Sequence, residues 1–264
     1  FSAHPCAAAN AELLLEEIMK KILAFILTGT LLLSGIFAAE LSVEQIMAKY
    51  DENGDFKTST MKAVLFVKDK FGTTKTTFES YQRKNKDTLI IVADGPDSGQ
   101  KILRLENSVY LYYPDAEELI RIQGSALKDS IMGSDFSYED LTGSESTLEN
   151  YTGELLGTET IDGFECYHLM LTARTKKQLY QKKELWIDSS MFIGRKEIVY
   201  SASGKALSES VMTDFKKIGK YYIGTKGRMV NLLKKSSVTE MNITSIELDK
   251  PLSDKLFSKD ELAW

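Results

Sequence analysis

The feature that most constrains the fold is a long series of short segments with period-two patterning, separated by turn residues. Between residues 58 and 113, and again between 150 and 248, apolar and polar residues alternate as in strands with one buried face. The turns are short, which is typical of antiparallel neighbours. About a dozen twisted strands cannot stay flat, so the pattern predicts a mainly β (α+β) fold, a curved antiparallel sheet that curls into a barrel, half-barrel or sandwich. The predicted strands are 58–69, 72–84, 87–94, 100–106, 108–113, 119–122, 150–160, 164–174, 183–188, 192–201, 206–217, 221–231 and 237–248.

A helix is predicted before the first strand. Ser42 and Gln45 have the Ser-x-x-Gln spacing of a capping box, and apolar residues recur at helical spacing from 43 to 50. This helix has an apolar face that must be buried, so we expect it to cover the sheet as a filler or lid. A short closing helix is predicted at 252–257.

The first forty residues have the pattern of an export signal. Met19 is followed by two lysines, an apolar run over 22–33 and small residues that end at Ala38 and Ala39. We expect residues 1–18 to be a non-native upstream extension translated in frame; the alternative is an amphipathic N-terminal helix. The predicted organisation is therefore an extension at 1–18, a signal peptide at 19–39 and a single domain at 40–264.

An exported chain of this kind is expected in the periplasm. No cysteine stands at the predicted cleavage junction, so we expect no lipid anchor. The formal net charge is −5, which provides no general attraction for nucleic acid. Local basic pairs are interpreted as solvated strand ends or turns. These pairs are Lys176-Lys177, Lys182-Lys183, Lys216-Lys217 and Lys234-Lys235.

Catalytic signatures are scarce in this sequence. It contains no Gly-x-Ser-x-Gly nucleophile elbow, no His-Glu-x-x-His and no phosphate-binding loop. Cys166 and His168 share one face of a predicted strand, but a buried thiol and a structural histidine are the commoner roles. The run 51–55 imitates a calcium loop and fails, because Phe56 and Lys62 stand where Gly and Glu are needed. We therefore expect no catalytic residue, no metal ligand and no cofactor.

The aromatic residues of the strands admit two interpretations: they line a cavity, or they fill an ordinary core. From the residues alone the ordinary core is favoured, because small β-barrels are usually filled by side chains.

Several motifs resemble those of a known family. The most specific is the stretch 109–141, a predicted hairpin followed by the run Gly-Ser-Asp-Phe-Ser-Tyr-Glu-Asp-Leu at 133–141. The motifs 157–159, 163–169, 185–188 and 214–219 follow in order. Together they resemble the LolA-like family of periplasmic outer-membrane lipoprotein-sorting proteins.

This resemblance implies an incomplete antiparallel β-barrel with covering helices, and an apolar cavity that binds acyl chains of lipoproteins or lipids. It implies a role in outer-membrane lipoprotein sorting, without enzymatic activity. The implied partners are such acyl chains, an inner-membrane transporter and an outer-membrane acceptor. The alternatives are a lipid hydrolase that uses the same cavity, and an envelope scaffold with a filled interior. The cavity or gate residues expected on this basis are Phe66, Phe78, Leu103, Leu105, Tyr110, Tyr112, Met132, Phe136, Tyr138, Tyr167, Leu169, Trp186 and Phe215. Phe136 and Tyr138 are expected either to gate the cavity or to anchor a packed loop.

Overall fold

The computed structural model describes residues 41–84, 87–143, 146–234 and 237–262, together with Met19. Ser42–Trp264 form one compact unit. The predicted extension at 1–18 and the signal peptide at 19–39 lie, Met19 apart, outside the described residues.

In this part of the chain, thirteen strands form one antiparallel sheet that is curved and not closed into a barrel. The first six strands are β1 (Thr58–Asp69), β2 (Gly72–Arg83), β3 (Thr88–Asp94), β4 (Lys101–Leu105), β5 (Ser108–Tyr113) and β6 (Glu118–Gln123). The other seven are β7 (Tyr151–Ile161), β8 (Phe164–Ala173), β9 (Lys182–Asp188), β10 (Gly194–Tyr200), β11 (Ala206–Ile218), β12 (Tyr221–Asn231) and β13 (Val238–Leu248). The predicted strands agree closely with these bounds, and the predicted fold class is confirmed.

The order of the strands shows how the chain passes through the open sheet. It runs β6-β5-β4-β3-β2-β1-β13-β12-β11-β10-β9-β8-β7, so the first and last strands pair at its centre. The two edges, β6 and β7, are consecutive in sequence, and the chain crosses from one edge to the other through residues 124–150. We call this stretch the crossing segment. Because it carries helices rather than strands, it covers one face of the sheet instead of joining the edges.

The crossing segment contains a 3-10 helix at Gly124–Lys128 and two short helices. With the leading helix, the α-helices are α1 (Val43–Glu52), α2 (Tyr138–Thr142) and α3 (Thr147–Asn150). The predicted capping box of α1 is present: the Gln45 N–H donates to Ser42 Oγ at 3.3 Å, and the Ser42 N–H donates to Gln45 Oε1 at 2.8 Å. The chain closes with a 3-10 helix at Asp254–Phe257, where a short helix was predicted.

Both faces of the sheet carry buried apolar side chains. On the face that we call the inner face, Leu65, Ile90 and Leu111 pack against Leu127 and Phe136 of the crossing segment. On the opposite, outer face, a second cluster joins strand residues to the C-terminal segment. Its buried members are Leu89, Leu103, Tyr112, Phe257 and Leu262. Along β3, β4 and β5 the alternation of side chains thus supplies both clusters.

Helix α1 lies against the inner face of β7, and Gly153 permits this contact. A Cβ atom at Gly153 would lie 2.5 Å from Val43 Cγ1 and 2.9 Å from Met47 Sδ, closer than van der Waals contact. Gly153 pairs with Leu171 of β8, so both face the helix. A residue without a side chain is therefore required where α1 meets the sheet.

Candidate functional site

A cavity of about 1030 Å³ lies between the inner face and the helices that cover it. Its size is at the upper end of the range for small-molecule sites, roughly 300–1,000 Å³. The sheet supplies the floor, from β8 to β13. The cover consists of the end of α1, parts of α2 and α3, and the loop that carries Leu179 and Tyr180.

The floor is largely apolar. Met212, Met229 and Met241 come from three adjacent strands, β11, β12 and β13, and present unbranched thioether side chains to the cavity. Methionine adapts its shape to what it contacts, so this part of the floor suits flexible apolar ligands. Further apolar lining residues are Leu141, Leu171, Leu185, Ile193 and Phe215.

One ion pair stands within this floor. Lys183 Nζ lies 3.0 Å from Glu197 Oε1, and the two side chains are 23% and 32% exposed. Enclosure by protein lowers the pKa of Lys183, but Glu197, together with Tyr151 and Tyr50, outweighs that effect and holds the pKa above the ordinary value. Lys183 is therefore charged at neutral pH. The sequence analysis interpreted the pair Lys182-Lys183 as a solvated strand end. The structure corrects this for Lys183, whose side chain lies inside the cavity.

A second polar group borders the cavity where α2 begins. Ser137 caps α2 by accepting from the Asp140 N–H at 3.1 Å, and Asp140 Oδ2 accepts from the Ser137 N–H at 2.8 Å. Tyr180 donates its hydroxyl hydrogen to Asp140 Oδ1 at 3.2 Å. Burial raises the pKa of Asp140, and the bonds from Ser137 only partly offset the increase. This group ties the Tyr180 loop to α2.

The crossing segment is fixed to the sheet at several points. Arg104, which is 4% exposed, binds Glu139 Oε2 through Nη1 at 2.8 Å. The Asp135 N–H donates to Thr239 Oγ1 at 2.8 Å, and the Thr239 hydroxyl donates back to Asp135 Oδ2 at 3.0 Å. Phe136, between these anchors, is 7% exposed and lines the cavity. In this structure the segment forms part of the cavity wall.

The structure does not bring the thirteen predicted site residues together. Phe136 and Phe215 line the cavity. Phe78, Met132 and Tyr138 are buried in the inner core beside it.

Others of the thirteen lie away from the cavity. The members of the outer-face cluster or its margin are Leu103, Leu105, Tyr110 and Tyr112. Phe66 is half-buried and alternates with Leu65 and Val67, so it points to the outer face.

The last three lie in β8 and β9. Leu169 is fully buried, and Tyr167 stacks on Phe192 with ring centroids 6.3 Å apart. Trp186 stacks on His168 at 4.2 Å, on the face of β9 opposite Leu185.

The main cavity residues that the sequence analysis missed are Lys183, Glu197 and the three methionines. The sequence did contain one indication that Lys183 faces the cavity: strand alternation places it on the same face as the apolar Leu185. Which of the two faces would be the inner one depends on the register of the whole sheet.

Cys166 and His168 lie on the outer face, because they alternate with Leu169 and Leu171 along β8. His168 Nε2 lies 2.8 Å from Glu184 Oε2, in a polar cluster away from the cavity. Burial raises the pKa of the Cys166 thiol, which disfavours the nucleophilic thiolate. Among the residues that the structure describes, no group of three or more His, Cys, Asp or Glu side chains could hold a metal ion.

Taken together, an open antiparallel half-barrel, a helical cover on one face and a cavity between them define the LolA-like class of fold. The chain belongs to the family whose model matches residues 83–264 and whose description reads "uncharacterized protein". The resemblance seen in the sequence motifs is confirmed.

Three solved structures share this fold. A DUF1329 family protein from Desulfovibrio piger has a TM-score of 0.76 and 22% identity, over 83% of this chain and 97% of that one. A LolA superfamily protein from Nitrosomonas europaea has a TM-score of 0.71 and 23% identity, over 84% and 99%. A putative outer membrane lipoprotein-sorting protein domain from Vibrio parahaemolyticus has a TM-score of 0.72 and 22% identity, over 83% and 97%. No functionally curated protein matches the chain in sequence at a significant level.

Within the described ranges, no helix is both long and apolar enough to cross a membrane.

Proposed function

We propose that the protein is a carrier that encloses the acyl chains of lipids or lipoproteins. The observation that carries this proposal is the cavity of about 1030 Å³ with a floor of leucine and methionine side chains. Each CH₂ group of an acyl chain costs roughly 0.8 kcal/mol when it is exposed to water, so a carrier must enclose the chain. The floor offers apolar side chains for this purpose, among them Leu171, Leu185 and Met212.

The comparison with known structures supports a more specific role. One structural neighbour is named as a putative outer membrane lipoprotein-sorting protein domain. We propose that this protein acts in the periplasm after export by residues 19–39. There it would receive a lipoprotein or lipid from an inner-membrane transporter and deliver it to an outer-membrane acceptor.

The two alternatives fit the geometry less well. A hydrolase that uses this cavity through Cys166 or His168 is disfavoured, because both residues lie on the outer face. A scaffold with a filled interior would not leave a cavity of this size.

Uptake of a neutral fluorescent probe, N-phenyl-1-naphthylamine, by the chain 40–264 tests the proposal. Ser210→Trp introduces an indole into the cavity floor, because Ser210 lines the cavity. We expect a large loss of probe fluorescence for this variant. Thr213→Trp is the matched control, since Thr213 is an exposed residue of the same strand. Equal fluorescence for both variants, with both folded, would argue against the cavity as the binding site.

A further inference from the structure

The ion pair of the cavity stands in apolar surroundings. Along the floor, Lys183 pairs directly with Leu171 of β8 on one side and with Val199 of β10 on the other. Leu171 and Val199 are 1% and 5% exposed. Glu197 likewise pairs with Leu185 across β9 and β10. The cavity is therefore amphipathic: the floor holds one ion pair among apolar residues, and the cover adds the carboxyl of Asp140.

The ammonium group retains hydrogen-bonding capacity. A lysine ammonium has three N–H donors. In the described part of the chain, Glu197 is the acceptor that Lys183 contacts. The rings of Tyr151 and Tyr180 lie 5.3 and 5.4 Å from Nζ and surround it with aromatic faces. Donors that face a cavity rather than bulk water favour an acceptor supplied by a ligand.

We propose that Lys183, held by Glu197, binds the carbonyl-bearing end of an acyl chain, either a free carboxylate or an ester. The hydrocarbon part of the ligand then lies over Met212, Met229 and Met241, and the carbonyl oxygen accepts a hydrogen bond from Nζ. This inference rests on the proposed function and names the ligand class of the same cavity. It explains why an ion pair stands among the apolar residues of the floor.

Displacement of N-phenyl-1-naphthylamine by three competitors tests this inference. Laurate and methyl laurate both have a carbonyl end, and dodecane has none. The unaltered protein should bind the two carbonyl compounds more tightly than dodecane. Lys183→Met should lower the affinity for them by about tenfold to a hundredfold, as expected for loss of a charged donor, and leave that for dodecane nearly unchanged.

The chain offers a matched control on the opposite face of the sheet. Lys196 Nζ lies 3.1 Å from Glu209 Oε2, with side chains 25% and 29% exposed, nearly the values of the Lys183 pair. Lys196 stacks over Trp186 on the outer face, so Lys196→Met removes a similar ion pair without touching the cavity. It should bind all three competitors as the unaltered protein does.

The single variant leaves Glu197 without its partner. If Lys183→Met does not fold, the double variant Lys183→Met/Glu197→Met replaces both charges with apolar side chains and should show the same loss of discrimination. Lys196→Met/Glu209→Met is its control. If only the affinity for laurate depends on Lys183, the ligand is a free fatty acid. If the affinities for laurate and methyl laurate both depend on it, the ligand is an acyl ester.

Two results would overturn the inference in distinguishable ways. If the unaltered protein takes up neither the probe nor laurate, the proposed function fails, and the inference fails with it. If the probe and all three competitors bind, but Lys183→Met leaves the preference for carbonyl compounds intact, the inference fails and the carrier function stands.

Discussion

The Asp51 carboxylate accepts a hydrogen bond of 2.9 Å from the backbone N–H of Leu148. Asp51 lies at the end of α1 and Leu148 at the start of α3. The same carboxylate accepts from the Thr147 N–H at 3.0 Å and from the Ser146 hydroxyl at 2.7 Å. A residue of one helix thus caps the N-terminus of another, satisfying donors that have no partner within α3. Because both helices cover the cavity, Asp51 holds the two parts of the cover together.

Asp51→Ala should therefore loosen the cover. Loss of a helix cap costs roughly 1–2 kcal/mol, and we expect a decrease of that size in the free energy of unfolding. Hydrogen exchange should become faster at the amides of Thr147 and Leu148. Glu52→Ala is the control, because Glu52 is the exposed neighbour on the same helix. Unchanged exchange at both amides in Asp51→Ala would contradict this role.

Gly153→Ala should displace α1 from the sheet. The added methyl group would overlap with Val43 and Met47, and overpacking of this kind typically costs about 1–3 kcal/mol. Gly54→Ala is the control, since a Cβ atom there would have 3.6 Å to its nearest neighbour, an ordinary contact. Urea unfolding measures both variants. A Gly153→Ala protein as stable as the control would show that α1 does not depend on this close approach.

The buried pair of Asp188 and Arg195 should dominate the acid sensitivity of the β9–β10 region. Asp188 Oδ2 lies 2.7 Å from Arg195 Nη2, and the two side chains are 2% and 6% exposed. Burial raises the pKa of Asp188, but hydrogen bonds from Ser190, Met191 and Arg195 outweigh burial and lower it. A carboxyl whose folded-state pKa is lowered contributes stability above its unfolded-state pKa, about 4, and loses it as the pH falls through the folded-state pKa.

Asp188→Asn should accordingly cost about 3–5 kcal/mol near neutral pH, because it leaves Arg195 buried without its counterion. The difference from the unaltered protein should shrink as the pH falls below about 4, the unfolded-state pKa, and be smallest below the lowered folded-state pKa of Asp188. Asp214→Asn is the control: its pair with Lys226 is more than half exposed on both sides and should contribute at most about 1 kcal/mol. A cost for Asp188→Asn that is independent of pH would refute the electrostatic explanation.

The arrangement of the strands could be predicted because local patterning determines it. Alternation and turn residues mark each strand, and Ser42 with Gln45 marks the start of α1. The pattern of α1 also predicted that this helix covers the sheet, whereas the cavity was expected only from the family resemblance.

The position of the site could not be predicted in the same way, because both faces of many strands are buried. Ile102 packs in the inner core and Leu103 in the outer one, and the outer cover includes Phe257, far away in the sequence. Hydrophobicity alone does not distinguish such faces. For the same reason Trp186 was expected in the cavity and lies on the outer face, while Lys183 was expected in solvent and lies in the cavity.

Native mass spectrometry of the chain 40–264, purified from a bacterial envelope without detergent, tests the central claim most directly. The carrier account predicts folded protein with an additional mass that corresponds to an acyl-containing lipid and is released on denaturation. The Ser210→Trp protein should lack this mass, and Thr213→Trp should retain it. A folded, ligand-free protein that also fails to take up laurate would contradict the account.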